Sequence, residues 1–116
     1  MSSDTRTTAE RFLRAVEHDV PACRGLMSVD AVWELNGTVQ TTGPEEFVTR
    51  QQEDLATGAT RTTVETLVVE GDLAAWVGWV DFSPHEGAAF RMRVSEWLTV
   101  DDGRVSRVRS VMVPAG

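Results

Sequence analysis

The chain has 116 residues, of which 41% are hydrophobic and 25% charged, and it carries a formal net charge of -7 at pH 7. That length and balance describe one soluble domain spanning 1–116, large enough to bury a core without staples. The acidic excess argues against nucleic acid and against anionic membrane surfaces as partners, and the single cysteine, Cys23, excludes an internal disulfide.

The first residues are polar and lack the apolar core of a signal peptide, and no apolar run approaches membrane-spanning length. A cytoplasmic protein is the expectation. Thr7 and Glu10 have capping-box spacing and predict a helix from Thr7 to about His18, with Ala9, Phe12, Leu13 and Val16 as its buried stripe. Asp19 reads as the N-cap of a short second helix that tolerates Pro21 in its first turn, carries Cys23 and Leu26, and ends near Met27. Ala31 to Leu35 reads as a short strand closed by an Asn36-Gly37 turn.

Gly43-Pro44-Glu45-Glu46 is a helix start, since proline is preset for the first position and the acids suit the positive end of the dipole. Phe47, Val48, Gln51 and Leu55 form its inner stripe, and Gly58 is the expected C-cap. Strands follow: Thr60 to Glu70, a turn at Gly71-Asp72, Leu73 to Phe82, a longer turn over Ser83 to Gly87, then two strands closed by Asp101-Asp102-Gly103. Helices early and strands late indicate an α+β domain with helices on one face of a mostly antiparallel sheet.

The strand that opens near Phe90 carries the chemical anomaly. Phe90, Met92, Val94, Glu96, Leu98 and Val100 alternate onto one face, and Arg91, Arg93, Ser95, Trp97 and Thr99 onto the other. Glu96 is thus one carboxyl group on an apolar surface. It must be paired, hydrogen-bonded or kept protonated. It reads either as a general acid or base of raised pKa or as a structural carboxyl held by backbone or arginine.

The element order resembles the nuclear-transport-factor-2-like (NTF2-like) superfamily, in particular its SnoaL-like and ketosteroid-isomerase-like branch. The residues that carry the resemblance are Glu10-Arg11-Phe12-Leu13-Arg14-Ala15-Val16 with Asp19, Asp30-Ala31-Val32-Trp33-Glu34, Gly43 to Phe47, Val69 to Ala74, and Asp102-Gly103-Arg104-Val105. The resemblance implies a cone: three N-terminal helices packed on a curved sheet, closing a blind apolar pocket, often in a homodimer through the sheets' outer faces. Trp97 among Arg91, Arg93, Arg107 and Arg109 has the composition of such an interface.

In isomerases of this branch a tyrosine on the first helix donates to the oxyanion and an aspartate after the first strand moves the proton. Those positions are Phe12 and Leu35 here, and the chain contains no tyrosine. A third acid of the family falls on Glu96 if the final turn is one residue shorter. An ungapped alignment would select Ser95, but it would turn the apolar face away from the pocket. The polyketide-cyclase members are a closer analogy, because one main carboxyl group can shuttle a proton there while shape holds the substrate.

The expected catalytic residue is therefore Glu96. Phe12, Trp33, Leu35, Asn36, Phe47, Trp76, Phe90, Met92, Val94 and Leu98 are expected to bind a small apolar, oxygenated substrate. Trp33 and Trp76 read equally as core aromatics, and Asn36 as a turn residue. No phosphate loop or metal-ligand spacing occurs, so neither cofactor nor metal is expected. His18, His85 and Cys23 read as structural or solvated. Two other readings stay open: a non-catalytic binding or dimerisation module, and an epoxide hydrolase or cyclase, which needs Glu34, Glu65 or Asp81 to join Glu96.

Overall fold

The computed structural model describes residues 2–115, with side chains for 4–115. The elements in chain order are α1 (Ser2–His18), a 3₁₀ turn (Val20–Ala22), α2 (Cys23–Leu26), β1 (Met27–Leu35), β2 (Thr38–Thr42) and α3 (Pro44–Leu55). Four long strands follow, β3 (Gly58–Glu70), β4 (Leu73–Pro84), β5 (Phe90–Asp101) and β6 (Arg104–Pro114). The six strands form one sheet in the order β2-β1-β6-β5-β4-β3. Only β1 and β6 pair in parallel. The fold is α+β with a curved, mostly antiparallel sheet. The expected three N-terminal helices need correcting in arrangement, because α3 follows the β1–β2 hairpin and α2 is a single turn.

Two tight hairpins set the register. Asn36 and Gly37 have φ of 50° and 85°, and Asp102 and Gly103 have 53° and 77°. Left-handed central residues match the twist of the flanking strands. The first turn folds Thr38 to Thr42 back as β2, a strand not expected from its short polar sequence.

Helix α1 starts before Thr7, so the Thr7–Glu10 pair lies inside the helix, on its exposed side. The cause is a longer buried stripe: Thr5 and Thr8 continue the line of Ala9, Phe12 and Ala15 toward the N-terminus. Thr5 donates its hydroxyl to the carbonyl of Gly71 at 2.7 Å, which ties the helix to the β3–β4 turn. Asp19 occupies the expected cap position but makes no side-chain capping bond. Helix α3 begins as expected, and the Glu46 carboxylate reaches back to accept from the Thr42 N–H at 2.9 Å. Its C-cap is Ala56, not Gly58. Gly58 instead opens β3 where a Cβ would lie 2.4 Å from the Ser83 carbonyl, so close strand approach is what requires glycine.

Phe12, Trp33 and Phe47 meet where α1, β1 and α3 converge, with ring centroids 5.6 Å and 5.7 Å apart for the two pairs that Phe47 makes. They share one core with Leu98, Val105 and Val108, and Val94 is buried further along β5.

Candidate active site

The hairpin of β5 and β6 decides what surrounds Glu96. From the Asp101–Arg104 closure, a regular ladder would put Arg109 opposite Glu96. Instead the register shifts between Thr99 and Val100, where Ser106 is the extra residue on β6, and Glu96 pairs with Ser110. Burial enforces this: Val105 and Val108 are both essentially inaccessible although an odd number of residues apart, which a regular strand cannot achieve. The bulge turns Arg107 and Arg109 outward and brings Ser110 in.

Glu96 is consequently held by neutral donors. Ser110 donates its hydroxyl to Oε2 at 2.5 Å, and Trp76, directly opposite on β4, donates its indole N–H to Oε1 at 3.0 Å. Trp33 in turn donates its indole N–H to Ser110 Oγ at 3.1 Å. Glu96 is 8% exposed. Burial pushes its pKa up from the ordinary value, and the hydrogen bonds from Ser110 and then Trp76 offset part of that rise. Among the described residues no arginine engages it.

This carboxyl group faces a cavity of about 380 Å³ between α1, α3 and the inner face of the sheet. The inner wall is apolar, built from Phe12, Val16, Trp33, Leu35, Phe47, Trp76, Val80, Met92, Val108 and Met112. The exposed lining residues Asp54, Thr57 and Phe90 come from the end of α3, the turn that follows it and the start of β5. They mark the mouth. Gly78, between Trp76 and Val80, leaves room for the sheet to bend, since a Cβ there would sit 1.9 Å from the Thr63 carbonyl beside a bulge in β3.

Residues 9–108 match the SnoaL-like domain family. The chain belongs to that family. No curated protein matches significantly. Among solved structures, an LEH-like epoxide hydrolase from M. tuberculosis superposes with a TM-score of 0.85 at 17% identity, covering 97% of this chain and 84% of that one. A candidate ketosteroid isomerase from Kribbella flavida gives 0.80 at 24% identity, over 99% and 82% of the two chains. IdmH of Streptomyces antibioticus, a candidate polyketide cyclase, gives 0.78 at 23%, over 93% and 91%. At such identities the likeness establishes the fold.

Within this SnoaL-like fold the structure brings Glu96, Phe12, Trp33, Leu35, Phe47, Trp76, Phe90 and Met92 to one cavity. Asn36, Val94 and Leu98 are corrections to the expected substrate surface, as none of them lines it. Asn36 is an exposed turn residue whose side-chain amide bonds both the N–H and the carbonyl of Met112. Val94 and Leu98 have the inward orientation but are consumed by packing, at 1% and 0% exposure.

The three other acids do not join Glu96. Glu34 accepts from Arg107 at 2.7 Å, Asp81 from Arg91 at 2.8 Å, and Glu65 from Arg93, all as partly exposed pairs. Ser110, Glu17, Arg50 and Asp54 are site residues that sequence reasoning missed. Ser110 could have been found from the two buried valines that force the bulge. His85 is exposed outside the cavity, and Cys23 is buried with its thiol pushed up to about 12.

With Glu96 ionised, every nearby donor hydrogen has an acceptor: Trp33 to Ser110, and Ser110 and Trp76 to the carboxylate. The remaining lone pairs can take a proton from a bound molecule, and desolvation makes that proton easy to hold. The arrangement suits transfer of one proton in a cavity with an apolar inner wall.

Proposed function

We propose that the protein is a cofactor-independent enzyme that moves a proton on an apolar, oxygenated small molecule of polyketide or terpenoid character, as an isomerase or cyclase. The observation that carries this reading is Glu96: a buried carboxyl group on an apolar cavity, held by neutral donors, with its pKa raised. A carboxyl group serving as a buried ion-pair anchor would instead be neutralised by a cation. The carboxylate would take a proton from the carbon next to a carbonyl, and the C–H electron pair would pass to the carbonyl oxygen as an enolate. Isomerisation follows when Glu96 returns the proton to a conjugated carbon. Cyclisation follows when the enolate carbon attacks a second carbonyl and Glu96 protonates the new alkoxide.

The reading is tested without knowing the natural substrate. A panel of apolar ketones is incubated with the protein in D2O, and deuterium uptake next to the carbonyl is followed by NMR. Catalysed exchange is expected for compounds that bind, and Glu96→Gln should lower it by roughly 10²–10⁴-fold while binding persists. Binding without exchange across the panel would make the chain a ligand-binding module.

The epoxide alternative needs a second carboxyl group beside Glu96, and Glu34, Glu65 and Asp81 are committed elsewhere. Of the two other acids that line the cavity, Glu17 accepts from the Thr62 N–H at 2.9 Å and Asp54 lies exposed at the mouth. We also propose a homodimer through the outer sheet face. Val77, Val111 and Val113 are 37%, 45% and 51% exposed on that face around Trp97, an apolar patch framed by ion pairs. Sedimentation of a monomer at high micromolar concentration would exclude it.

A further inference from the structure

Arg50 differs from the other paired arginines. Arg24, Arg91 and Arg107 each meet a carboxylate within 2.8 Å, and Arg93 meets Glu65 closely. Arg50 has only the exposed Asp54, one helical turn on, at 3.8 Å, and its one hydrogen bond goes to the neutral amide oxygen of Gln40 at 3.1 Å. Yet Arg50 is the one cationic residue lining the cavity among the described residues.

Its guanidinium lies over the Trp33 ring, 5.4 Å from the centroid. The other end of that indole, its N–H, is bonded to Ser110 and through it to Glu96. Trp33 is therefore a spacer that separates a cation from the buried carboxyl group along one cavity wall. A guanidinium over an aromatic ring still has N–H groups to offer an acceptor, and its planar fork fits a carboxylate with two parallel bonds. Exposed ion pairs as long as that of Arg50 with Asp54 are weak, so Asp54 is a competitor that a better-placed anion displaces. In a chain of net charge -7, an anionic molecule gains nothing from the overall field. A local cation must supply its attraction.

We propose that Arg50 anchors a ligand carboxylate in the cavity, so that the substrate class is an apolar carboxylic acid whose body lies on Trp33 and Phe47 and whose reacting carbon reaches Glu96. This assignment rests on the reading of the cavity as the substrate site. Arg50 is a specificity-determining residue, and Glu96 performs the chemistry at the other end.

The test uses a matched pair of probes, 2-naphthylacetate and its neutral analogue 2-naphthylacetamide, bound to the full chain and followed by tryptophan fluorescence and calorimetry. The acid should bind at least tenfold more tightly than the amide. Arg50→Met should remove that preference by weakening the acid far more than the amide, and Arg50→Lys, which keeps charge but loses the fork, should restore only part of it. Glu96→Gln should retain the preference. Equal affinities for acid and amide in the unaltered protein, or a preference that survives Arg50→Met, would overturn the role of Arg50 while leaving the cavity as a binding site. Failure of both probes to bind would count against the cavity reading itself. Loss of proton exchange in Glu96→Gln is a separate readout that neither result disturbs.

Discussion

Trp76 and Trp79 lie three residues apart on β4, and their indoles serve opposite ends. Trp76 faces inward and offers its N–H edge to Glu96. Trp79 faces outward and offers its ring face to two cations, Arg91 and Arg93, 4.5 Å and 4.4 Å from its centroid. The carboxyl groups divide in the same way. On the outer face Glu65 is held below its ordinary pKa, chiefly by the hydrogen bond from Arg93. On the inner face Glu96 is raised, chiefly by burial. Strand alternation therefore gives one sheet two electrostatic regimes. In one, Glu65 is held below its ordinary pKa by arginine; in the other, Glu96 is pushed above it by burial.

The comparison breaks most visibly at Glu96. In Glu96→Gln the amide oxygen can still accept from Trp76 and the amide N–H can donate to Ser110, so the fold should persist while proton transfer is lost. The sign of the stability change follows from the raised pKa. The carboxyl group's neutral form is favoured by folding, so its stabilisation is complete below the unfolded value and is lost as pH rises through the higher folded value. Stability of the wild-type protein relative to Glu96→Gln should accordingly fall as pH rises above the ordinary glutamate value of 4.5, as measured by chemical denaturation.

A second way to disturb the inner regime is to move the wall that shapes it. Gly78→Ala places a Cβ against the Thr63 carbonyl, and forced shifts of that kind typically cost about 1–3 kcal/mol, more where backbone must move. Denaturation should show that loss, and cavity ligands should weaken with it. Ser110→Ala sharpens the comparison by removing a donor from Glu96 and the acceptor of the Trp33 N–H. Leaving a buried donor unpaired costs about 1–3 kcal/mol, and the Glu96 pKa should rise further because the Ser110 bond lowers it. The outer face should respond least. Asp81→Asn breaks a half-exposed pair with Arg91, for which a stability change under about 1 kcal/mol, shrinking further in salt, is expected.

Much of this was legible in the sequence, for reasons that can be named. Alternation along Phe90 to Val100 fixed the face on which Glu96 lies, because a strand has no freedom to rotate one side chain past another. Asn36-Gly37 and Asp102-Gly103 marked the hairpins through residues that tolerate left-handed backbone. What was not legible depended on long-range partners. Thr7 and Glu10 satisfy a local capping rule, but the sheet beneath Thr5 and Thr8 extended the helix past them. Gly58 imitates a helix cap, while its true constraint is the Ser83 carbonyl, 25 residues later. The Ser110 donor to Glu96 was hidden by the bulge at Ser106, which changes the cross-strand neighbour on β6 from an arginine to a serine. Arg50 was passed over because on α3 it reads as a solvated helical residue, and only the position of Trp33 beneath it gives it a direction.

The claim on which the rest depends is that the two faces shift their acids in opposite directions. Carboxyl carbon NMR of the 13C-labelled protein, titrated from pH 3 to pH 9 with Glu96→Gln and Glu65→Gln for assignment, records both in one experiment. Glu96 should titrate above the ordinary glutamate value of 4.5 and Glu65 below it. A Glu96 that titrates at or below 4.5 would contradict the account, because a carboxyl group held ionised in that cavity is a structural anchor and not a proton carrier.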